Sequence, residues 1–379
     1  TGLRTITTAV QAFPAEPGAI QKTSDGFRSP LHVLCPETER SQPPDLDRVE
    51  HIIEAAIARI PALGSGGVKT VVNGPITYTI DGAPLVGPIP GKRNAFCIIG
   101  LRAGLGEGGG HGWLLAQQIV HGEACYDTWC IDPRRFAAHA NVELTALKAI
   151  EDYQNEFRFH FPNEHRPAGR MARTTPLTPV LASKGATFTT VNGWERTEYF
   201  TTDPDFSVTP SFHFDESFDL VASEIEAVQY GVGIAEVNGF NRFEITGRDA
   251  GSFLDRMICG RMPRKPGRVG LAYLLNHQGM LKSEATVALL PSSDRGSERI
   301  WYGSAATAEH HDMDWLKQNL RTGEDVAIKS LTNDQTILVL AGPKAQNVLQ
   351  SVSRDDWSVT AFPWLSVREC YIGIAPATV

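Results

Sequence analysis

The sequence predicts a multidomain α+β chain, on three observations. Its 379 residues are enough for two to three domains, taking roughly 150 residues per domain. Apolar residues make up 42% and charged residues 21%, the balance of a folded chain with a sizeable core. Helical periodicity alternates with short apolar runs bounded by Gly and Pro, and the second half carries the more regular mixture of strands and helices.

Residues 1–44 are rich in Thr, Pro and charge and have no sustained period. At Pro44-Asp45 a helix is expected, with Asp45 as its cap. Leu46, Val49, Ile52, Ile53, Ala56, Ile57 and Ile60 form one apolar stripe before Pro61 stops it. Val68–Val72 reads as a strand running into the turn Asn73-Gly74-Pro75, and Ala95–Leu101 as a buried strand leading into a glycine-rich loop. Helices are expected over Trp113–Val120 and 136–160, the second capped by Asn141 with Leu144, Leu147, Ile150, Tyr153 and Phe157 inward. Pro162 to Pro179 reads as an irregular connector.

Beyond residue 200, Arg242–Thr246 reads as a strand and Ala250–Ile258 as a helix. Gly270–Asn276 and Met280–Leu290 form a hairpin across Asn276-His277-Gln278-Gly279. Thr336–Leu340 is a strand, and Pro343 suits a first helical position.

A formal net charge of −8 argues against nucleic-acid or anionic-membrane partners. The basic run Arg261–Arg268 is broken by prolines and reads as a solvated loop. No apolar run approaches the roughly 20 residues that cross a bilayer. The six cysteines form no CxxC pair or zinc-ligand pattern, so free thiols in a reducing compartment are expected, and no metal is. Gly104-Leu105-Gly106-Glu107-Gly108-Gly109 satisfies GxGxxG literally. An NAD site, however, needs a second strand ending in Asp or Glu about 20 residues on, and the sequence offers none. The glycines still allow backbone N–H groups to approach an anion or carbonyl; alternatively they serve only a tight turn.

Several stretches carry a family resemblance. Asn73–Gly87 and Gly100–Gly112 resemble, in sequence and spacing, the end of the flavin domain of dimethylglycine and sarcosine dehydrogenases. Tyr126–Trp129, Asp132–Phe136, Gly169–Leu177 and Gly193–Arg196 are similar, in order, to that family's central connector. Val232–Val237, Asn276–Val287 and Ala341–Ala345 resemble the glycine-cleavage T-protein (aminomethyltransferase) domain.

The resemblance covers roughly residues 40 to 379, the middle of the family. It implies the C-terminal part of a D-amino-acid-oxidase-like FAD domain over residues 1–130 and a central connector over 131–199. Residues 200–379 would then be the first part of a folate-binding domain.

The implied chemistry is oxidation of an N-methyl amine by FAD, with the one-carbon unit passed to tetrahydrofolate. Gly104, Leu105, Gly106, Gly109 and Gly110 would line the flavin. Glu284 would stand near the folate, where the T-protein pattern carries an Asp at this position or the one before. Alternation along Met280–Leu290 puts Leu281, Ser283, Ala285, Val287 and Leu289 on the core face and Glu284 on the other. Glu284 as a plain exposed charge beside Lys282 stays open. So do two readings of the chain, as a non-catalytic folate-binding module or as an inactive truncated fragment. The compartment implied is cytoplasm or mitochondrial matrix, and no oligomeric state is legible.

Overall fold

A computed structural model describes residues 46–71, 76–137, 139–294 and 296–379. Two compact units divide the chain. One comprises the described parts of Thr1–Gly87, Phe96–Asp132 and Ala140–Arg158; the other comprises Pro88–Ala95, Pro133–His139 and Phe159–Val379.

In the first unit, helix α1 spans Glu50–Arg59 after a 3-10 turn, and Pro61 opens a second 3-10 turn, as a residue with fixed φ and no N–H does. The apolar stripe of α1 is present, with Ala56 and Ile57 half-buried and Ile52 57% exposed among the described residues. The proposed cap Asp45, the turn Asn73-Gly74-Pro75 and Val72 lie outside the described residues. Val68 to Val71 is not a strand; Val68 is 69% exposed and no pairing partner reaches it among the described residues. Strand β1 (Leu85–Pro88) pairs with β2 (Phe96–Ile99), which shortens the strand expected over Ala95–Leu101.

Helix α2 runs over Gly104–His121, so the glycine segment is helix rather than loop. Helix α3 spans Val142–Asn155, and the Asn141 side chain accepts from the Leu144 N–H at 2.8 Å, the bond that caps a helix N-terminus. Leu144 is buried and Ile150 half-buried, but Leu147, Tyr153 and Phe157 are exposed; Ala149 and Glu151 are the other buried residues of α3.

The second unit begins its regular structure at α4 (Thr178–Ser183), followed by the hairpin β3 (Ala186–Val191) and β4 (Trp194–Phe200). Next come α5 (Phe218–Tyr230), β5 (Gly233–Glu236), β6 (Phe240–Gly247), α6 (Ala250–Met257), β7 (Ile258–Cys259), β8 (Arg268–Leu275), β9 (Leu281–Leu290) and β10 (Glu298–Ala305). Helix α7 (Glu309–Gln318), β11 (Ala327–Ser330), β12 (Leu338–Ala341), α8 (Ala345–Val352), β13 (Glu369–Ile372) and β14 (Ala375–Thr378) complete it. The expected strands and hairpin after residue 240 are all present. Pro343 lies in the turn just before α8, not inside it.

Six strands form one antiparallel sheet in the order β11-β6-β10-β9-β8-β7. Its inner face is closed by α6, whose Ala250, Phe253, Leu254 and Met257 are buried at i, i+3, i+4, i+7 spacing. Leu316 of α7 joins the same core, where Phe243 stacks on Tyr302 at 5.6 Å. On the opposite face Ala288, Leu290 and Val367 are buried with Val269 and Trp301 beside them. That second layer explains why β9 turns apolar on both sides near its end. The hairpin turn closes with Gly279 N–H donating to Asn276 O at 3.0 Å, and Gly279 at φ +83° suits glycine.

Candidate functional site

Two places carry the residues that the sequence singled out, one in each unit. In the first, α2 has no side-chain cap at Ala103; the Gly106 and Glu107 N–H groups turn back onto Ala103 O at 2.8 and 2.9 Å, so the opening donors of the helix are those of Gly104 and Leu105. Gly104, Gly106, Gly108, Gly109, Gly110 and Gly112 all have negative φ, and a Cβ on any of them would meet nothing within 4 Å. Neither backbone conformation nor crowding within the described residues requires glycine there. In a helix interior each costs about 1 kcal/mol relative to alanine, roughly 5–6 kcal/mol for the group. Leu105 is fully exposed beside them. The result is a helix start bare of side chains, with Gly104, Gly108 and Gly112 on one side and Gly106, Gly109 and Gly110 on the other, where a flat or anionic group can lie close to backbone. The dinucleotide fingerprint is absent, because α2 ends at Gly122 in the left-handed region and short 3-10 turns follow instead of a strand.

The base of α2 is anchored by residues that sequence reasoning did not connect. Arg102 makes an ion pair with Asp152 at 2.9 Å and Glu156 at 3.4 Å, both near the end of α3, and its guanidinium lies 5.0 Å from the Tyr78 ring centroid. Tyr78, 4% exposed, donates to Glu156 at 2.6 Å; burial first, then the Glu156 bond, pushes its hydroxyl pKa up to about 12. Gly82 sits at φ +73°, and a Cβ there would come 2.5 Å from Asp152 Oδ2. Thus the stretch around Asp81-Gly82 and the stretch starting at Gly100, which are separate motifs in sequence, meet on the same two carboxylates, Asp152 in α3 and Glu156 just after it.

In the second unit, Glu284 is exposed on β9, opposite Tyr273 of β8. The alternation places Ser283, Ala285, Val287 and Leu289 inward as expected. Leu281 departs from it at 62% exposed, because the β8–β9 register shifts between Leu274 and Leu275, leaving Lys282 as an extra residue. Lys282 Nζ lies 4.5 Å from the Trp315 ring centroid, and the His277 ring lies 5.1 Å from it. Beneath the strand, the fully buried Asp312 of α7 accepts three hydroxyls on Oδ2: Ser283 at 2.9 Å, Tyr302 at 2.8 Å and Ser304 at 2.6 Å. Burial and the Asp312 charge push the Tyr302 hydroxyl far above its usual range. Nothing in the sequence flags Asp312, since the three hydroxyls it accepts are 8 to 29 residues away.

The connector motifs also converge. Glu195, 1% exposed, is gripped by the Arg170 guanidinium and accepts the Met171 N–H at 2.7 Å. Gly169–Leu177 and Gly193–Arg196 are therefore two halves of one buried polar joint.

Residues 177–379 match the GCVT N-terminal domain model, more than half of the chain. The chain belongs to the GCVT N-terminal domain family. Immediately before the GCVT domain, residues 121–175 match the FAD dependent oxidoreductase central domain. Among curated proteins, mitochondrial dimethylglycine dehydrogenase of Mus musculus is 34% identical over 88% of this chain. Mitochondrial sarcosine dehydrogenase of the same organism is 27% identical over 94%. Its mitochondrial pyruvate dehydrogenase phosphatase regulatory subunit is 28% identical over 87%. The chain spans 38%, 42% and 38% of these relatives' lengths. The order expected from sequence, an oxidoreductase connector followed by a GCVT domain in a mixed α and β chain, is borne out. The GCVT domain holds Glu284, Asp312 and the whole six-stranded sheet.

Proposed function

We propose that this chain contributes the flavin-covering strip and a folate-facing surface to an oxidative N-demethylase of a small methylated amine, of the dimethylglycine or sarcosine kind. One observation carries the reading: an FAD oxidoreductase central domain and a GCVT domain lie in tandem, within a chain 34% identical to dimethylglycine dehydrogenase over 88% of its length. In this reading residues 1–130 close a flavin domain, 131–199 connect, and 200–379 begin the folate half. The mitochondrial dimethylglycine and sarcosine dehydrogenases it resembles favour a mitochondrial setting.

The chemistry that FAD would supply when bound is acceptance of a hydride from the amine's methyl group. The chain's own part is to lay the backbone of Gly104, Leu105, Gly106, Gly109 and Gly110 against it, with the helix N-terminus toward its negative charge. The glycines fit that role because, without a Cβ, they would let a flat cofactor reach the helix backbone itself. At the second surface, Glu284 offers an exposed carboxylate to the bound folate, where it would take up a proton as the one-carbon unit is captured.

Two substitutions test the reading in an enzyme restored to the length of its relatives. Gly106→Val is expected to lower flavin occupancy, read from the visible absorbance. The isolated chain should keep its stability within about 1 kcal/mol, because the new side chain meets no neighbour. Full flavin loading of Gly106→Val would remove α2 from the site. Glu284→Gln is expected to leave amine oxidation unchanged while the yield of methylene-tetrahydrofolate falls and free formaldehyde rises. Unchanged coupling would reduce Glu284 to a surface charge. A second reading is a non-catalytic folate-binding module, and the relative named a regulatory subunit rather than a dehydrogenase favours it. Failure of methylated amines to bleach the flavin would favour it.

A further inference from the structure

Most of the chain's charge imbalance lies between β4 and the end of α5. Residues 201–230 hold seven acidic residues, from Asp203 to Glu226, and no Lys or Arg, a charge of −7 in a chain of −8. None of these carboxylates forms an ion pair among the described residues. Asp203, Asp215 and Glu216 accept N–H groups of their own loop, and Glu224 accepts the Phe200 N–H at 2.8 Å. Apolar side chains stand among the charges. No residue of α5 is buried, Ile225 is 58% exposed, and Phe214 is 83% exposed with its ring centroid 4.5 Å from that of Phe218.

The apolar residues of α5 are ordered. Phe218, Val221, Ile225 and Val228 fall at i, i+3, i+7 and i+10, the spacing of a seam that packs on another helix. Along it opens a groove of about 430 Å³ lined by Val221, Glu224, Ile225, Val228 and Gln229. With about 3.6 residues per turn, Glu224 borders the seam on one side and Asp219 and Glu226 on the other. An exposed apolar seam rimmed by charge marks an interaction surface. Its charge selects the partner. A second copy of α5, or an anionic lipid surface, would set negative charge against unneutralised negative charge. A cationic helix neutralises both flanks as its apolar side enters the groove.

We propose that the α5 face is the docking site of a basic amphipathic helix from a partner polypeptide. The partner's aliphatic side chains enter the groove beside Ile225, and its Lys or Arg flanks meet Glu224 on one side and Asp219 and Glu226 on the other. This surface is independent of the flavin and folate readings, since it uses neither α2 nor β9.

The test is calorimetric titration of the purified chain with three synthetic peptides of about 14 residues, long enough to cover the seam. One carries a Leu seam with Lys flanks, one the same seam with Glu flanks, and one the Leu/Lys composition in scrambled order. Only the first is expected to bind, more weakly as salt is raised. Ile225→Asp, at an exposed position, is expected to weaken it about tenfold or more. The double variant Asp219→Lys, Glu226→Lys should weaken it and remove most of its salt dependence. Equal binding of the Leu/Glu or scrambled peptide, or an affinity that survives both variants, overturns the proposal. So does a concentration-dependent dimer in sedimentation that Ile225→Asp abolishes, which assigns the face to a second copy. Hydrogen exchange gives a readout that needs no variant. The Leu/Lys peptide is expected to slow exchange over α5, and protection confined to other elements overturns the assignment.

Discussion

Replacing Asp312 by alanine is expected to destabilise the GCVT domain by about 3–5 kcal/mol, the largest effect of any single substitution considered. Three hydroxyls, on Ser283, Tyr302 and Ser304, point at one of its oxygens inside the sheet–helix core. Without the carboxylate they remain buried with nothing to accept them, and α7 loses its polar attachment to β9 and β10. Tyr302→Phe removes one donor and leaves the acceptor two others, so a loss of about 1–2 kcal/mol is expected. Urea unfolding followed by tryptophan fluorescence measures both. A loss below 1 kcal/mol for Asp312→Ala would mean that the hydroxyls find other partners and that the hub does not hold α7.

The second large effect is expected at Glu195. This carboxylate, almost wholly enclosed, accepts from Arg170 and from the Met171 N–H. Glu195→Ala leaves the Met171 N–H without its acceptor and the Arg170 guanidinium with only Phe188 O, at 2.8 Å, at a cost of about 3 kcal/mol. The Arg170 side chain is 30% exposed and can turn to water, which keeps the figure below that of a fully enclosed pair. The bond between Arg170 and Glu195 joins the segment before α4 to β4, so cleavage by a protease between residues 169 and 193 should accelerate in the variant. Equal cleavage rates for variant and parent would show that the joint is held by its apolar neighbours instead.

The second unit was largely legible because its local signals agree with one another. Period-2 alternation in β9, the Asn276–Gly279 turn and the i, i+3, i+4 stripe of α6 each point to the element found. The first unit was less so. Val68 and its neighbours have the composition of a strand, but a strand needs a partner, which composition does not supply. The glycine segment misled in the other direction: glycine's low helix propensity argues for a loop, yet residues 104–112 continue α2 without a break. For the candidate site, the sequence indicated Glu284 and the glycines but none of the groups that hold them. Asp312, Arg102 and the Asp152–Glu156 pair act across 29 to 54 residues of chain. No local period reports such contacts. Leu281 was misplaced for a related reason, since the extra residue Lys282 breaks the alternation at the hairpin's end.

The glycine half of α2 has a consequence for how ligand occupancy can be observed. A stretch so poor in intrinsic helix stability lies at the low end of the chain's local opening free energies, so its amide protons should exchange with solvent among the fastest of any helix in the chain. A group seated on it adds its binding free energy directly to that opening. Hydrogen exchange over residues 104–112 is thus a built-in gauge of whether the strip is covered, readable without colour, turnover or knowledge of the substrate.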